Sequence, residues 1–544
     1  MLEKIKRFRP SSLTSTQIIL LGYAAIILTG AFLLATPLAS QARVWTNFPD
    51  ALFTATSATC VTGLIVVPTA GYWSLFGQLI ILALIQIGGM GFLTMAVMIF
   101  VVAGRRIGLR QRFTMQESIG APALGGIVRL TRFIFRGVLL FETLGALLLA
   151  IRFVPMLGLA RGLYYAIFHS VSAFCNAGFD LMSVVGGQGS ITYFVNDPLV
   201  NFTIMMLIII GGLGFFVWED LYLHHGRLNR CRLHTKIVIL ASVSLLVVPS
   251  LMIFFFDRNV AAFEELSTPS RLMAAFFQST SARTAGFNTI DLMHMTHPSK
   301  MTMIMLMLIG GSSGSTAGGM KTTTVATLFL CIRSTVTREN ELRAFGRRLD
   351  DSCLRNAVTI FFSYICLFMG GAFLLTQFDN VPLISAMFET SSAVATVGLS
   401  LGITPDLSLP SQLVLIFLMF FGRVGCLTMV YAFAETHHTN AGLSRLPLEK
   451  IAIGSIKKCL QAAARAAAFL YHFGRDDRCG YILDRSARLS VVHQKVVKHH
   501  NGFIDLCRKL LFQHEIQTAG TQHFAVEWGQ VVCDDMDGVS GTRL

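Results

Sequence analysis

Hydrophobic positions along the chain gather into long runs rather than a regular alternation. Apolar runs occupy residues 17–37, 74–103, 133–153, 199–222, 236–256, 300–332, 356–377 and 411–433. A helix needs ~20 predominantly apolar residues to cross a hydrocarbon core of ~30 Å, so eight spans are expected. Inside each successive pair of runs lies a shorter stretch of apolar and small polar residues, at 48–60, 162–175, 271–283 and 382–395. Stretches of ~10–14 residues are too short to cross and read as re-entrant segments. The order long, short, long therefore runs four times.

The short stretches repeat one another. FTATSATCVTG ends at Gly63, FHSVSAFCNAG at Gly178 and FETSSAVATVG at Gly398. Each has Phe, then Ser-Ala four and five positions later, then Gly at the tenth. The remaining copy, FFQSTSARTAG, ends at Gly286 with Ser-Ala displaced by one residue. Such regular spacing marks an internal repeat of about 110 residues.

Physical chemistry suggests a use for four such segments. Non-helical backbone at membrane depth is tolerated only where it is buried in protein or lines a water-filled cavity. Four returns around one axis would present the carbonyls of Cys60, Val61, Thr62 and Gly63; of Cys175, Asn176, Ala177 and Gly178; of Arg283, Thr284, Ala285 and Gly286; and of Ala395, Thr396, Val397 and Gly398. Carbonyl rings can replace the hydration shell of a monovalent cation, and the negative ends of four short helices would point the same way. Close helix packing on small residues explains one such glycine but not four in register.

Composition narrows the class. Of 544 residues 53% are hydrophobic and 14% charged, against about 25% charged in soluble proteins. That excludes an ordinary soluble enzyme, a disordered chain and a nucleic-acid module as the main reading. The net charge of +14 sits in alternate loops. Lys4, Lys6, Arg7 and Arg9 precede the first run; Arg105, Arg106, Arg110, Arg112, Arg129 and Arg132 follow the second. Arg227, Arg230, Arg232 and Lys236 follow the fourth, and Arg333, Arg338, Arg343, Arg347, Arg348 and Arg355 follow the sixth. The positive-inside rule places those loops and both termini in the cytoplasm, with the re-entrant segments entering from outside. The basic start before Ile18–Pro37 imitates a signal peptide, but the run is longer than an h-region of ~7–15 residues and reads as a retained helix.

The motifs SATCVTGL (57–64), CNAGFD (175–180), RTAGFNTID (283–291) and ATVGLSLGITP (395–405) resemble the Trk/Ktr/HKT superfamily of potassium transporters over roughly residues 10–454. Eight spans and a short N-terminus resemble the KtrB-type membrane subunit more than TrkH-type proteins. The resemblance implies an all-α integral membrane protein of four membrane helix–pore helix–filter loop–membrane helix repeats around a central pore. It implies potassium uptake at the plasma membrane, with potassium as the only bound metal, and potassium selectivity because all four glycines are present. It also implies a homodimer docked on a cytosolic ring of nucleotide-binding regulatory subunits. The repeats fall at 1–103, 104–224, 225–334 and 335–454.

Two features inside the membrane need their own account. Gly310, Gly311, Gly314, Gly318 and Gly319, interleaved with serines and followed by Lys321, cannot hold a straight helix. The stretch 310–319 imitates a phosphate loop, but Met320 stands where that motif has Gly. Transporters place broken helices at transport sites, and in the resembled family the equivalent stretch gates the pore. Arg423 lies in the last run, where insertion costs about 2.5–3.5 kcal/mol; the family likeness makes it an electrostatic barrier, and pairing for structure alone is the other reading. Cys426 stands where the family usually has proline. Arg283 is expected behind the carbonyls, tied to a carbonyl or an acid, with Glu389 and Asp291 as partners. The Cys60 and Cys175 thiols are expected to pack behind as well, and His169 to be a polar cap at the start of its helix.

No pair of the 11 cysteines forms CxxC, and no His/Asp/Glu cluster suggests a metal site. No cofactor motif, nucleic-acid partner or catalytic residue is expected. Residues 455–544 follow as a cytoplasmic tail with a possible surface helix at Lys457–Tyr471; an extension of this chain and a shifted reading frame both remain open. Two rival functions stand. An integral-membrane enzyme would need acidic or His clusters at a membrane face, and a less selective cation or solute transporter would not need four filter-like glycines.

Overall fold

The chain folds as four successive units of one design. In the first, α1 (Ser15–Ala35) is followed by the short α2 (Phe48–Thr59) and by α3 (Leu75–Met90). The second has α4 (Ile127–Leu157), α5 (Leu159–Phe174), α6 (Pro198–Leu213) and its continuation α7 (Phe215–Leu223). The third has α8 (Leu233–Phe256), α9 (Thr268–Ser281), α10 (His297–Leu308) and α11 (Thr322–Val336). The fourth has α12 (Asp351–Asp379), α13 (Leu383–Val394) and α14 (Leu409–Val424). The computed structural model describes residues 14–91, 94–95, 127–184, 189–264, 266–339, 341–426 and 428–429. Expectations about the basic N-terminus, residues 104–126 and the tail 455–544 lie outside those residues.

Local chemistry sets the helix boundaries. Thr14 caps α1 reciprocally with Gln17: the Gln17 N–H donates to Thr14 Oγ1 at 3.3 Å and the Thr14 N–H to Gln17 Oε1 at 3.2 Å. Pro37 follows the end of α1, and proline opens α2, α6, α9, α10 and α14, where its missing N–H is not needed. Gly158, at φ 83°, ends α4 and starts α5. A Cβ built on Gly162 would stand 2.6 Å from Val154 Cα, so glycine there lets α5 fold back tightly on α4.

The alternation of long and short elements matches the apolar pattern, but the two long helices of each unit differ. Among the described residues, the helices long and apolar enough to cross a membrane are the first of each unit: Thr16–Ala35, Val128–Leu157, Leu233–Phe256 and Ser352–Asp379. The second helices are cut short at glycine. α3 stops before Gly91 (φ 79°), α6 before Gly214 (φ 96°) and α14 before Gly425 (φ 93°). α7 leaves α6 at 89°, although the apolar run 199–222 is continuous. The third unit replaces the single glycine with the segment between α10 and α11.

Large apolar side chains face outward as well as filling the core, and small hydroxyl side chains are buried. Phe32 is 64% exposed and Phe373 67% exposed on the outer helices, whereas Ser57, Ser172, Ser281, Ser392, Thr56 and Thr390 are buried on the short inner ones. This suits a chain whose solvent is lipid. Between α11 and α12 a two-stranded hairpin, β1 (Arg343–Ala344) and β2 (Arg347–Arg348), turns through Phe345 and Gly346, both at positive φ. The half-buried Glu341 carboxylate, 2.8 Å from Arg343 Nη2 and 3.0 Å from Arg348 Nη1, is held below the usual carboxylate range by these two arginines.

Candidate functional site

Every short helix ends in the same turn. Val61, Asn176, Thr284 and Thr396, each two residues before a repeat glycine, have φ of 58°, 59°, 76° and 53°. The glycines follow at 94°, 70°, 81° and 91°. A non-glycine residue in this region costs about 1–2 kcal/mol, so the surroundings must impose it. They do so through a bond made four times. The residue between donates its N–H to the carbonyl of the helix serine: Thr62 to Ser57 at 2.8 Å, Ala177 to Ser172 at 2.7 Å, Ala285 to Ser281 at 2.9 Å and Val397 to Ser392 at 2.8 Å. With N–H groups spent toward the helix, the carbonyls are left to face the other way.

The displaced serine of the third unit is resolved here. Ser281 sits one residue nearer its glycine than the others do, yet its carbonyl accepts the same bond. The serine hydroxyls complete the turn in two ways. Ser57 Oγ and Ser392 Oγ accept the N–H of Gly63 and Gly398 at 3.0 and 2.9 Å. Ser172 Oγ donates to the Phe179 carbonyl at 2.7 Å, and Ser281 Oγ to that of Phe287.

The four glycines close into a ring in chain order. A Cβ built on Gly63 would fall against the Ala177 carbonyl and 3.2 Å from Gly178 Cα. One on Gly178 would stand 2.7 Å from Ala285 O and 2.9 Å from Gly286 Cα. One on Gly286 would stand 2.6 Å from Val397 O, and one on Gly398 would strike the Thr62 carbonyl, 2.9 Å from Gly63 Cα. Each unit thus meets the next, and the last meets the first, with no room for a side chain. On one side of the ring lies a cavity of about 300 Å³, lined by all four glycines with Asp180, Asn288, Asp291 and Ser400.

Buried polar side chains brace the returns. His169 lies well along α5 rather than at its start. Its Nδ1 is 2.7 Å from the Tyr165 carbonyl, and its Nε2 accepts the Leu181 N–H at 3.3 Å. Glu389 accepts from Leu401 N, Ser400 Oγ and Thr404 Oγ1 at 3.0, 2.6 and 2.8 Å. Gln278 Nε2 is 3.4 Å from Thr289 Oγ1. In three units, then, a polar side chain of the short helix holds the residue three past the glycine. Sequence reasoning missed this brace because its chemistry changes from unit to unit. Arg283 is buried and donates to Ser242 O and Oγ at 3.5 and 3.3 Å. Neither Glu389 nor Asp291 is its partner: the first is spent on its brace, and the second pairs with His294 at 2.5 Å. Cys60 and Cys175 are buried; the Cys175 thiol lies 3.6 Å from Gln86 Oε1 and 3.9 Å from Glu142 Oε1.

Residues 310–319 lie against the ends of the short helices. The Ser312 and Thr316 N–H groups donate to Gly212 and Gly211 at 3.0 and 3.3 Å, and Thr316 Oγ1 donates to the last carbonyl of α5, Phe174, at 3.1 Å. Asn176 Nδ2 reaches Thr316 Oγ1 at 3.1 Å. Gly318 and Gly319 face Thr396 and Ala395, where a Cβ would collide. The first residue of α7, Phe215, donates its N–H to Gly314 at 2.7 Å. Arg423 donates to the Thr316 carbonyl and to Gly88 and Gly89 at the end of α3, so one guanidinium joins three units. Lys321 Nζ donates to Ala317 at 2.7 Å. Among the described residues neither cation is in an ion pair.

Apolar outer helices around four inward returns define a multi-pass membrane protein built on a backbone-lined ring. The chain belongs to the TrkH family of cation transport proteins, whose family model matches residues 14–441. It is similar to the potassium/sodium uptake protein NtpJ of Enterococcus hirae, 37% identical over 82% of this chain and 99% of that protein. It is also similar to the Ktr system potassium uptake protein B of Bacillus subtilis, at 36% over 81% and 97%, and to that of Vibrio alginolyticus, at 39% over 78% and 92%. The crystal structure of the potassium transporter TrkH from Vibrio parahaemolyticus has the same fold, with a TM-score of 0.61 at 21% identity, covering 79% of this chain and 87% of that one.

Proposed function

We propose that the chain is the ion-translocating membrane subunit of a potassium uptake system, with the ring of Gly63, Gly178, Gly286 and Gly398 as its selectivity filter. The carrying observation is the cyclic closure of that ring. It supports a reading in which four sets of main-chain carbonyls surround one opening, since the glycines leave no room there for a side chain. Carbonyls at Cys60–Gly63, Cys175–Gly178, Arg283–Gly286 and Ala395–Gly398 replace water around a dehydrated potassium ion. Asp180 and Asp291 beside the outer cavity raise the local concentration of cations.

Residues 310–319 with Lys321 act as the gate, held shut by Arg423. Potassium enters down its electrochemical gradient across the plasma membrane, both chain termini being cytoplasmic. The names of the Ktr relatives support a subunit of a larger system, here a homodimer on a cytosolic nucleotide-binding ring. The test is growth of a potassium-uptake-deficient cell at limiting potassium, with rubidium and sodium uptake measured alongside. Rescue with rubidium uptake exceeding sodium uptake supports the reading. Equal sodium and rubidium uptake points to the broader specificity in the name of NtpJ, and expression without rescue overturns the assignment.

A further inference from the structure

A mixed set of metal-binding side chains meets where the second unit passes into the third. Asp220 is in α7, His224 follows its last residue, and Cys231 caps the 3-10 turn Leu228–Arg230 ahead of α8. Their sequence spacing matches no familiar metal motif, which is why the sequence alone suggested no site. The fold brings one carboxylate oxygen, one ring nitrogen and the sulfur within 4.8 Å of one another.

The carboxylate carries the second observation. Asp220 is 2% exposed. Its Oδ2 is fully used, accepting the Arg232 N–H at 2.9 Å and the Thr235 hydroxyl at 2.6 Å. Its Oδ1 is buried and accepts no hydrogen bond. An anionic oxygen taken from water and left without a donor is costly. Around it stand Arg232 Nε at 3.8 Å and, nearer, His224 Nδ1 at 3.2 Å, whose N–H is directed to the Asp220 main-chain carbonyl at 2.9 Å. Cys231 Sγ, equally buried, makes a long contact with the Arg227 carbonyl at 3.5 Å and lies beside the Asp220 carboxylate.

We propose that Asp220, His224 and Cys231 form a site for a divalent transition-metal ion of the zinc class. Thiolate, imidazole and carboxylate are the donors zinc takes. Tetrahedral zinc with bonds of about 2.0–2.3 Å holds its ligands roughly 3.3–3.7 Å apart. The Asp–His pair, at 3.2 Å, is already close to that separation, and a turn of the Cys231 side chain brings the sulfur in. On binding the thiol gives up its proton and the imidazole carries its own on Nε2, freeing Nδ1 from the Asp220 carbonyl, so aspartate and thiolate balance the ion's two charges. The Arg232 side chain, 59% exposed, swings into solvent, and water takes the fourth position. A bound ion ties the end of α7 to the turn that starts α8. This binding does not depend on the assignment of the glycine ring.

The experiment uses the full chain purified in detergent and stripped of metal. Cobalt(II) is the probe, and zinc is the competitor. The expected result is one cobalt per chain, with a thiolate-to-cobalt charge-transfer band that zinc abolishes. Cys231→Ser loses that band, and His224→Ala, at a partly exposed position, weakens binding at least about ten-fold while eluting as a monodisperse species. Absence of a saturable band in the unaltered chain overturns the proposal. So does a band of undiminished amplitude in Cys231→Ser, which would assign it to other thiols.

Discussion

The third and fourth units make the same ring but end their second helices differently. At the ring their main chains coincide, though their serine hydroxyls bond differently: Ala285 and Val397 donate to Ser281 and Ser392, and Gly286 and Gly398 adopt φ of 81° and 91°. Below it, α14 breaks at the single residue Gly425, whereas α10 and α11 are separated by residues 309–321. The fourth unit supplies Arg423 instead, and that side chain holds the third unit's Thr316. On the proposed reading, a repeat keeps one function fourfold and places another in one copy, provided the second needs no symmetry. Selecting an ion takes a closed ring, while obstructing a path takes one segment and one clasp.

Changes at the ring should have the largest effect and should not distinguish the units. Gly286→Ser, Gly398→Ser and Gly63→Ser each place a Cβ against a neighbouring carbonyl at positive φ. Each is expected to lower discrimination of rubidium over sodium by about ten-fold or more, equivalent to about 1.4 kcal/mol. A variant that keeps the original uptake ratio removes its glycine from the filter.

Deleting Ser312–Thr316 should affect only what the third unit does below the ring. Maximal potassium uptake per folded molecule is expected to rise and to lose most of its response to the proposed cytosolic regulator. Unchanged uptake with unchanged regulation would show that the segment is packing and not a gate. Arg423→Gln should have a smaller effect in the same direction, because it releases the clasp but leaves the segment in place. Loss of flux at normal expression would instead make Arg423 a structural tie. The smallest effect is expected at the serines. Ser281→Ala and Ser392→Ala each remove one hydroxyl bond, worth about 0.5–1.5 kcal/mol. Thermal unfolding in detergent should show a modest and similar loss for both, because the carbonyl that sets the turn is retained. A much larger loss for one would show that the two turns are not equivalent.

Much of this was legible along the chain. Apolar runs long enough for lipid and four short copies ending in glycine predict four helix, short helix, helix units. The glycines they pick out are the four that meet in space. The segment 310–319 is conspicuous because its glycine density excludes a helix. The breaks at Gly91, Gly214 and Gly425 were not read, although G-G-M-G, G-G-L-G and G-R-V-G stand at 88–91, 211–214 and 422–425. Glycine within an apolar run does not lower its apolarity, so hydropathy reads through the bend. The first glycine of each motif faces the last carbonyl of a short helix, Thr59, Phe174 or Val394, and no one-dimensional pattern reports that contact.

Sequence alone therefore determined class and repeat number and picked out the four glycines that meet in space, because hydrophobic length and glycine spacing are local quantities. Tertiary structure decided what closes on what. It set the order in which the glycines meet and gave Glu389 to Ser400 and Thr404 instead of Arg283. It also carried Arg423 to carbonyls 107 and 335 residues away, and gathered Asp220, His224 and Cys231 at one point. The Glu389 and Asp220 groups depend on how a local return or turn folds, whereas the glycine ring and the Arg423 contacts depend on helices crossing at particular angles and depths, and form only when the units have packed together.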